Sequence, residues 1–545
     1  MKIVDLRINT LSWRRLATLS VAFVLTVLLS ACASGTPTAV LPPTAVVPTV
    51  IVPTAVVPTV AVEPLAGEWL GGLVRSDGAV VSLLVSFSDS GSSLNVQPFK
   101  KSWDLTGLFQ EDGKVAFGAA GKSSDPFQVM HFEGDLTTGG LSGSLVLDGD
   151  SAQVEFMPLG QIDSASLEKH VGVYRFDSGR TVSVLLSPAY DDGKLQYFPP
   201  GLMFTDLDSG DSRGLYPLAD DTFGIGSARV LAYPLEDVRV KFVPDESGET
   251  ASLQTFDRSA PENIETALRV DYSVEDATFT SEDGAVMVGL LTSPATPGVH
   301  PAFMMLHGSE AGVKDGFGQQ ILAHYMISKG IALLTYDKRG AGDSGGVYRE
   351  SADSGNINLI ASDVVAGAAY LASRQEVDPD KIGLIGGSQA GWVIPVAAAQ
   401  SDKVDFFVIE SGPVATLAQE SRYSAATNDG ETITSYDAEK LDQSLRDMNP
   451  ATGNPLPGLA DLTQPGLWLW GTVDKSVPVT VSAENLQKLI DAGKDNFSYT
   501  ILEGGDHNLN QSPHGYFAEI PYSPRVVYFS ALARWLEEMN LTASS

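Results

Sequence analysis

The chain has 545 residues, 43% of them apolar, which is enough for about three domains with cores of their own. Against 35 basic residues stand 67 acidic ones, a formal net charge of −32. A surface that acidic, with no basic cluster to relieve it, repels nucleic acid and anionic membrane surfaces.

Residues 1–31 carry Lys2, Arg7, Arg14 and Arg15, then the apolar run "LATLSVAFVLTVLL", then "SAC". Charged n-region, apolar h-region and small-residue cleavage site make a secretory signal. "LSAC" resembles the lipobox of bacterial lipoproteins, which implies cleavage before Cys32 and diacylation of its sulfur. Cys32 is the only cysteine, so an internal disulfide is excluded. The expected location is outside the cytoplasm, anchored to a bacterial membrane by the lipid on Cys32.

Residues 32–64 read as a tether. "PTAVVPTVIV" (43–52) is followed by "PTAVVPTVAV" (53–62), and a proline at every fifth position excludes helix and ladder pairing. Extended, its part from Thr36 to Pro64 reaches roughly 90 Å.

From residue 65 to 265 short alternating strands are punctuated by Gly, Asp and Ser, as in "GLSGSLVLDGD". A weak echo divides them into β modules at 65–162 and 163–265. "GEW" (67–69) precedes "VVSLLV" (80–85), and "GVY" (172–174) precedes "TVSVLL" (181–186). Two small antiparallel barrels or sandwiches are expected, with Trp69 and Tyr174 as core anchors. Neither module displays a recognisable chemistry.

The rhythm changes near residue 266. "AFMML" (302–306), "IALLTYD" (331–337), "KIGLIGG" (381–387), "DFFVIES" (405–411), "LWLWG" (467–471) and "FSYTIL" (497–502) are continuous apolar strands. Helical stretches at 316–329, 357–374, 388–400 and 480–492 alternate with them. An α/β fold with a mostly parallel, doubly wound sheet follows, with its ligand at the carboxyl ends of the strands.

Ser388 sits where such a ligand binds, at a strand-to-helix turn in "GGSQAG" (386–391), a near match to G-x-S-x-G with Ala390 in the last position. A serine needs a base, and the base an orienting acid. Downstream lie only His507 and His514, and His507 follows the last strand in "GGDHN". Asp474, in "WGTVDKSVP", emerges at the same edge, with Asp506 and Glu410 as competing acids. An imidazole at its ordinary value predicts activity falling as pH drops through roughly 6–7.

With "LHGSEAG" (306–312) and "YDKRGAGDSGG" (336–346), these motifs resemble an α/β-hydrolase of the dienelactone hydrolase and serine-aminopeptidase-like group over residues 266–545. The resemblance implies Ser388 as nucleophile, His507 as base and Asp474 as acid. It further implies an oxyanion hole from the backbone N–H groups of Gln389 and Ser309, with Glu310 as the lesser alternative to Ser309. His307 is expected to shape its turn, and Asp337 and Arg339 to tie loops by ion pairing.

Between 413 and 465 an insertion reads as a small helical cap or as a surface helix packed on the sheet. "TSYDAEKLDQSLRDM" (434–448) sets Ala438, Leu441, Leu445 and Met448 on one face, with Thr434 and Asp437 spaced as a capping box. Seven scattered histidines and one cysteine offer no metal-ligand spacing, and no cofactor is expected.

The expected function is hydrolysis of a small carboxylic ester through an acyl-enzyme. Thioester and amide cleavage, including a prolyl-oligopeptidase type of peptidase, are neighbouring readings. A surface binding or assembly protein with an inert hydrolase domain is the alternative of another class, and the complete Ser, Asp and His set disfavours it.

Overall fold

A computed structural model describes residues 65–542, apart from 77–79, 89–90, 98–101, 126, 138–139, 161–163, 188–200, 219–220, 227–235, 449–455 and 517–524. The leader, Cys32 and the tether lie outside the described residues. The described residues form one compact unit.

Gly67–Leu159 builds a nine-stranded antiparallel sheet in which the first strand, Gly67–Val74, pairs with both Val80–Phe87 and Asp150–Leu159. Alternate residues turn inward, as along Lys114–Ala120. Trp69, Phe117, Phe132 and Phe156 meet in its core.

Gly172–Val270 builds a closed barrel of eight strands. The last, Ala260–Val270, returns to the first, Gly172–Phe176, with Val173 opposite Val270. Closure satisfies the backbone groups that an open edge would leave unpaired. Tyr174 is fully buried in the barrel core and donates its hydroxyl to the His170 carbonyl at 2.8 Å. The closing strand runs past the boundary expected at 265, and the next domain begins at Tyr272.

That domain holds an eight-stranded sheet: β1 (Tyr272–Thr280), β2 (Val286–Pro294), β3 (His300–Leu306), β4 (Ala332–Tyr336), β5 (Val377–Gly387), β6 (Phe406–Glu410), β7 (Gly466–Gly471) and β8 (Phe497–Leu502). The spatial order is β1-β2-β4-β3-β5-β6-β7-β8. β2 pairs antiparallel with β1 and β4, and every other pairing is parallel.

Successive residues of the central strands face opposite cores. Met304, Leu334, Leu384, Phe407 and Trp468 pack with helices α2 (Ser354–Ala372), α3 (Ala390–Gln400) and α7 (Val479–Asp491). Phe303, Leu333, Ile385, Val408 and Leu467 pack with α1 (Phe317–Ser328) and α8 (Phe529–Glu538). Burial on both faces explains why these strands are continuously apolar.

The second core also takes Val173, Leu185 and Leu207 from the barrel. Beside it the buried His324 of α1 is hydrogen-bonded at Nδ1 to Ser183 Oγ of the barrel (2.7 Å) and at Nε2 to the Tyr272 hydroxyl (3.0 Å). Burial, with Arg269 adding, lowers this imidazole to about 3, so the seam is held by a neutral ring.

The insertion carries α4 (Leu417–Thr427), α5 (Ala438–Arg446) and α6 (Leu456–Asp461). Its capping box is Thr416 with Gln419 at the start of α4. The expected pairing of Thr434 with Asp437 does not form: Asp437 caps α5 alone, accepting from Lys440 N–H at 3.1 Å. Ala438 is exposed, because α5 packs through Leu441 and Leu445, with Met448 just past its end, against Val481 of α7.

Asp337 and Arg339 tie loops through separate partners. Asp337 takes Lys314 Nζ at 2.9 Å, and Arg339 takes Asp363 at 2.5 Å and Asp283 at 2.7 Å. Asp363 is fully buried. Arg339→Ala, which strands that carboxylate, is expected to cost about 3–5 kcal/mol in urea unfolding. An unchanged unfolding midpoint would show that water reaches Asp363.

Candidate active site

Parallel register brings the strand ends to one edge. Leu306 of β3 stands opposite Gly386 of β5, Gly387 opposite Glu410 of β6, Glu410 opposite Leu469 of β7, and Gly471 opposite Leu502 of β8. The residues after β3, β5, β7 and β8 are His307, Ser388, the Asp474 loop and the His507 loop.

Ser388 has φ +53, a left-handed backbone that turns its side chain out between β5 and α3. Its N–H donates to the Glu410 carbonyl at 3.0 Å, and its own carbonyl accepts from Gly391 N–H at 2.8 Å. At Gly386 an added Cβ would lie 2.6 Å from the Leu306 carbonyl oxygen and 2.9 Å from Ala390 Cβ. With glycine at 386, the alanine at 390 fits and the turn forms.

Asp474 is 3% exposed, and its Oδ1 accepts from the N–H groups of Ser476 (2.7 Å) and Val477 (2.9 Å). Its two oxygens lie 3.1 and 3.0 Å from His507 Nδ1. A carboxylate there places the imidazole proton on Nδ1 and leaves Nε2 as the acceptor. The competing acids are engaged elsewhere. Asp506 Oδ1 accepts from Asn508 and Asn510 N–H, both at 2.9 Å. Glu410, whose carbonyl accepts from Ser388 N–H, has its Oε1 buried and unpaired, and burial pushes its carboxyl up to about 7.

Among the described residues Ser388 Oγ has no hydrogen-bond partner, so its link to His507 is open; such bonds tighten when substrate binds. The backbone N–H groups of Ser309 and Gln389 likewise have no partner among the described residues. Gly308 N–H is committed to Glu310 Oε1 at 3.2 Å. A Cβ on Gly308 would stand 3.3 Å from Ser388 Cβ, so this turn packs directly on the serine.

The buried Lys338 donates to the Gly308 carbonyl and, at 2.9 Å, to Gln389 Oε1. It cross-links the two turns that carry the free N–H groups. Burial pulls its ammonium down to about 8, against the pull of Glu310. The one signal of Lys338 in the sequence is its place between Asp337 and Arg339. His307 holds its turn by Nε2 against the Tyr336 carbonyl at 2.6 Å.

The insertion reaches the acid loop through Tyr423 of α4, which donates to the Asp474 carbonyl at 2.9 Å. Neither helical alternative for the segment anticipated that contact. Burial raises Glu420, on the same helix, to about 7, and it shares its electrostatic environment with His507 and Asp474.

Burial alone would lower His507; the charge and hydrogen bond of Asp474, with Asp429 and Asp506, raise it to about 9. The folded value is above the ordinary 6.5, so the pair stabilises the fold fully below about pH 6.5 and the contribution fades as pH rises through about 9. An NMR titration of His507 is expected to centre near 9, and in Asp474→Asn to fall below 6.5. A ring that titrates alike in both proteins would break the assigned pairing.

Residues 319–520 match the prolyl oligopeptidase family. A polyketide transferase of Penicillium crustosum is 31% identical over 150 residues, a match spanning 27% of this chain and 47% of that protein's length. Among solved structures, an esterase of Pyrococcus furiosus is 18% identical with TM-score 0.33, covering 43% of this chain and 85% of its own. A dienelactone hydrolase, so described, from Klebsiella pneumoniae is 15% identical with TM-score 0.35, covering 50% and 98%. The sheet order, the turn at Ser388 and the match over residues 319–520 together support an α/β-hydrolase fold for this part of the chain.

Proposed function

We propose that residues 272–541 are a doubly wound α/β-hydrolase domain working as a serine esterase, tethered outside the cytoplasm by a lipid on Cys32. The observation that carries this reading is the 3.0 Å contact between Asp474 and His507, at the strand edge where Ser388 stands in its left-handed turn.

Ser388 Oγ attacks the ester carbonyl while His507 Nε2 takes its proton, and Asp474 stabilises the imidazolium. The N–H groups of Gln389 and Ser309 receive the carbonyl oxygen as it becomes an oxyanion. The tetrahedral intermediate collapses as His507 returns the proton to the departing alkoxide, leaving an acyl-Ser388. Water, deprotonated by the same histidine, then releases the acid.

Ester over peptide is supported by the N-terminal modules. An open sheet and a closed barrel stand where relatives that cleave oligopeptides carry a ring of propeller blades. Aminoacyl amides are the second reading, favoured by the match to the prolyl oligopeptidase family.

Ser388→Ala is expected to fold, to lose fluorophosphonate labelling, and to lose hydrolysis on the order of 10⁴-fold or more. Normal turnover by the folded variant would remove Ser388 as the nucleophile and with it this mechanism. Rates on short and long acyl esters, acyl thioesters and aminoacyl amides separate the substrate classes. Activity requires neutral His507, so the acid limb of the pH profile should lie toward 9, above the 6–7 expected of an ordinary imidazole.

The anchor rests on the sequence alone. Two acyl chains on Cys32 give stable membrane attachment where one would be marginal. Full-length protein is expected in the detergent phase and Cys32→Ser in the soluble fraction. An uncleaved, unmodified Met1 terminus in native membranes would remove the lipid from the proposal.

A further inference from the structure

The barrel touches the catalytic-histidine loop through a short backbone ladder. Its hairpin turn from Asp206 to Asp211 is tight: Gly210 N–H donates to the Asp206 carbonyl, and Asp206 Oδ1 accepts from Ser209 N–H at 2.8 Å. The tip of that turn meets Arg525 and Val526. Val526 N–H donates to the Gly210 carbonyl at 2.9 Å, Asp211 is bridged to Arg525, and Arg525 Nε donates to the Ser209 carbonyl at 3.2 Å.

The far side of the same segment meets the loop after β8. Gln511 N–H donates to the Arg525 carbonyl at 2.8 Å, Val527 N–H donates to the Leu509 carbonyl at 2.9 Å, and Asn510 is bridged to Val526. Leu509 is 1% exposed and has φ +54, a conformation a leucine holds only where its surroundings impose it. Leu207, in the barrel turn, is buried in the same apolar cluster. His507 lies two residues before Leu509, and Leu509 N–H closes the loop onto the Asp506 carbonyl.

We infer that the Asp206–Asp211 turn of the barrel is a positioning element of the active site: through Val526 it imposes the left-handed Leu509 and so holds the His507 ring against Asp474. The barrel is then a working part of the hydrolase, with Gly210 as its critical residue. Gly210 has φ +77, and a Cβ there would lie 1.9 Å from the Val526 carbonyl oxygen. Any side chain pushes the ladder apart. The inference rests on the assignment of His507 as the base.

Gly210→Val tests it, with Gly248→Val as control. Gly248, in another barrel turn, has φ +90 and nothing within 4 Å of an added Cβ, so the control strains the barrel without touching the ladder. Gly210→Val is expected to lower kcat roughly tenfold to a hundredfold with KM little changed, as misplacing a catalytic group does. The NMR titration of His507 should move down from about 9 as the ring slips from Asp474, a readout that needs no turnover. Gly248→Val should match the parent in both.

Unchanged kcat and titration in Gly210→Val, or equal losses in Gly248→Val, would overturn the inference. If Gly210→Val does not fold, Arg525→Ala decides: it removes the side-chain bonds to Ser209 and Asp211 and should move the titration and kcat in the same direction, and no movement in either counts against the ladder. Ser388→Ala is run alongside. Full turnover there would remove the Ser388 mechanism on which the proposed function rests, while the His507 titration still reports on the ladder.

Discussion

A serine at φ +53 carries backbone strain on the order of 1–3 kcal/mol, and the site is built around tolerating it. The N–H of Ser388 is satisfied by β6, its carbonyl by α3, and the missing Cβ of Gly386 makes room for Ala390 beneath it. The strain does not stand alone. Ser411, after β6, has φ +46, and Leu509, after β8, has φ +54. Left-handed non-glycine residues thus follow three strands of one edge, where each chain must leave the sheet sharply to aim a side chain or make room for one. The rigid strands beneath them resist relaxation.

Electrostatics around that edge differ from those of the whole chain. The protein carries a formal charge of −32, yet the site also holds an imidazole raised by Asp474 and an ammonium, lowered by burial, on the Gly308 and Gln389 turns, beside the ionised Glu310. Glu410 and Glu420, both raised to about 7 by burial, bear only part of their charge at neutral pH. An oxyanion forming on the Gln389 and Ser309 N–H groups therefore meets Glu310 as the ionised carboxylate of its own turn, with Lys338 beside it to offset that charge.

The central strands and the residues at their ends were legible because physics wrote them into consecutive positions. Strands buried on both faces must be continuously apolar, and Ser388 directly follows such a strand, Asp474 lies three residues beyond another, and His507 lies in the loop after the edge strand β8. β1 and β2 were harder to read: β1 is largely exposed, with Ala277 and Phe279 inward, so its pattern resembles that of the preceding modules. Barrel and sandwich share one alternation, and only the pairing of Val173 with Val270 separates them. The capping box fell at Thr416 because a cap is decided by where the helix starts, and spacing alone offered Thr434 as well. Lys338 acts through a carbonyl and an amide oxygen, which no one-dimensional pattern marks.

The closing strand of the barrel runs to Val270 and β1 starts at Tyr272, so a single residue joins the two. Ser209 and Arg525, which meet at the ladder, are 316 positions apart. Because synthesis proceeds from the N-terminus, the barrel is complete and free of the ribosome long before the segment it must pair with exists. The hairpin turn then serves as a preformed template on which the last part of the chain condenses. The histidine loop, among the last catalytic parts to be made, is the one that finds its partner already folded.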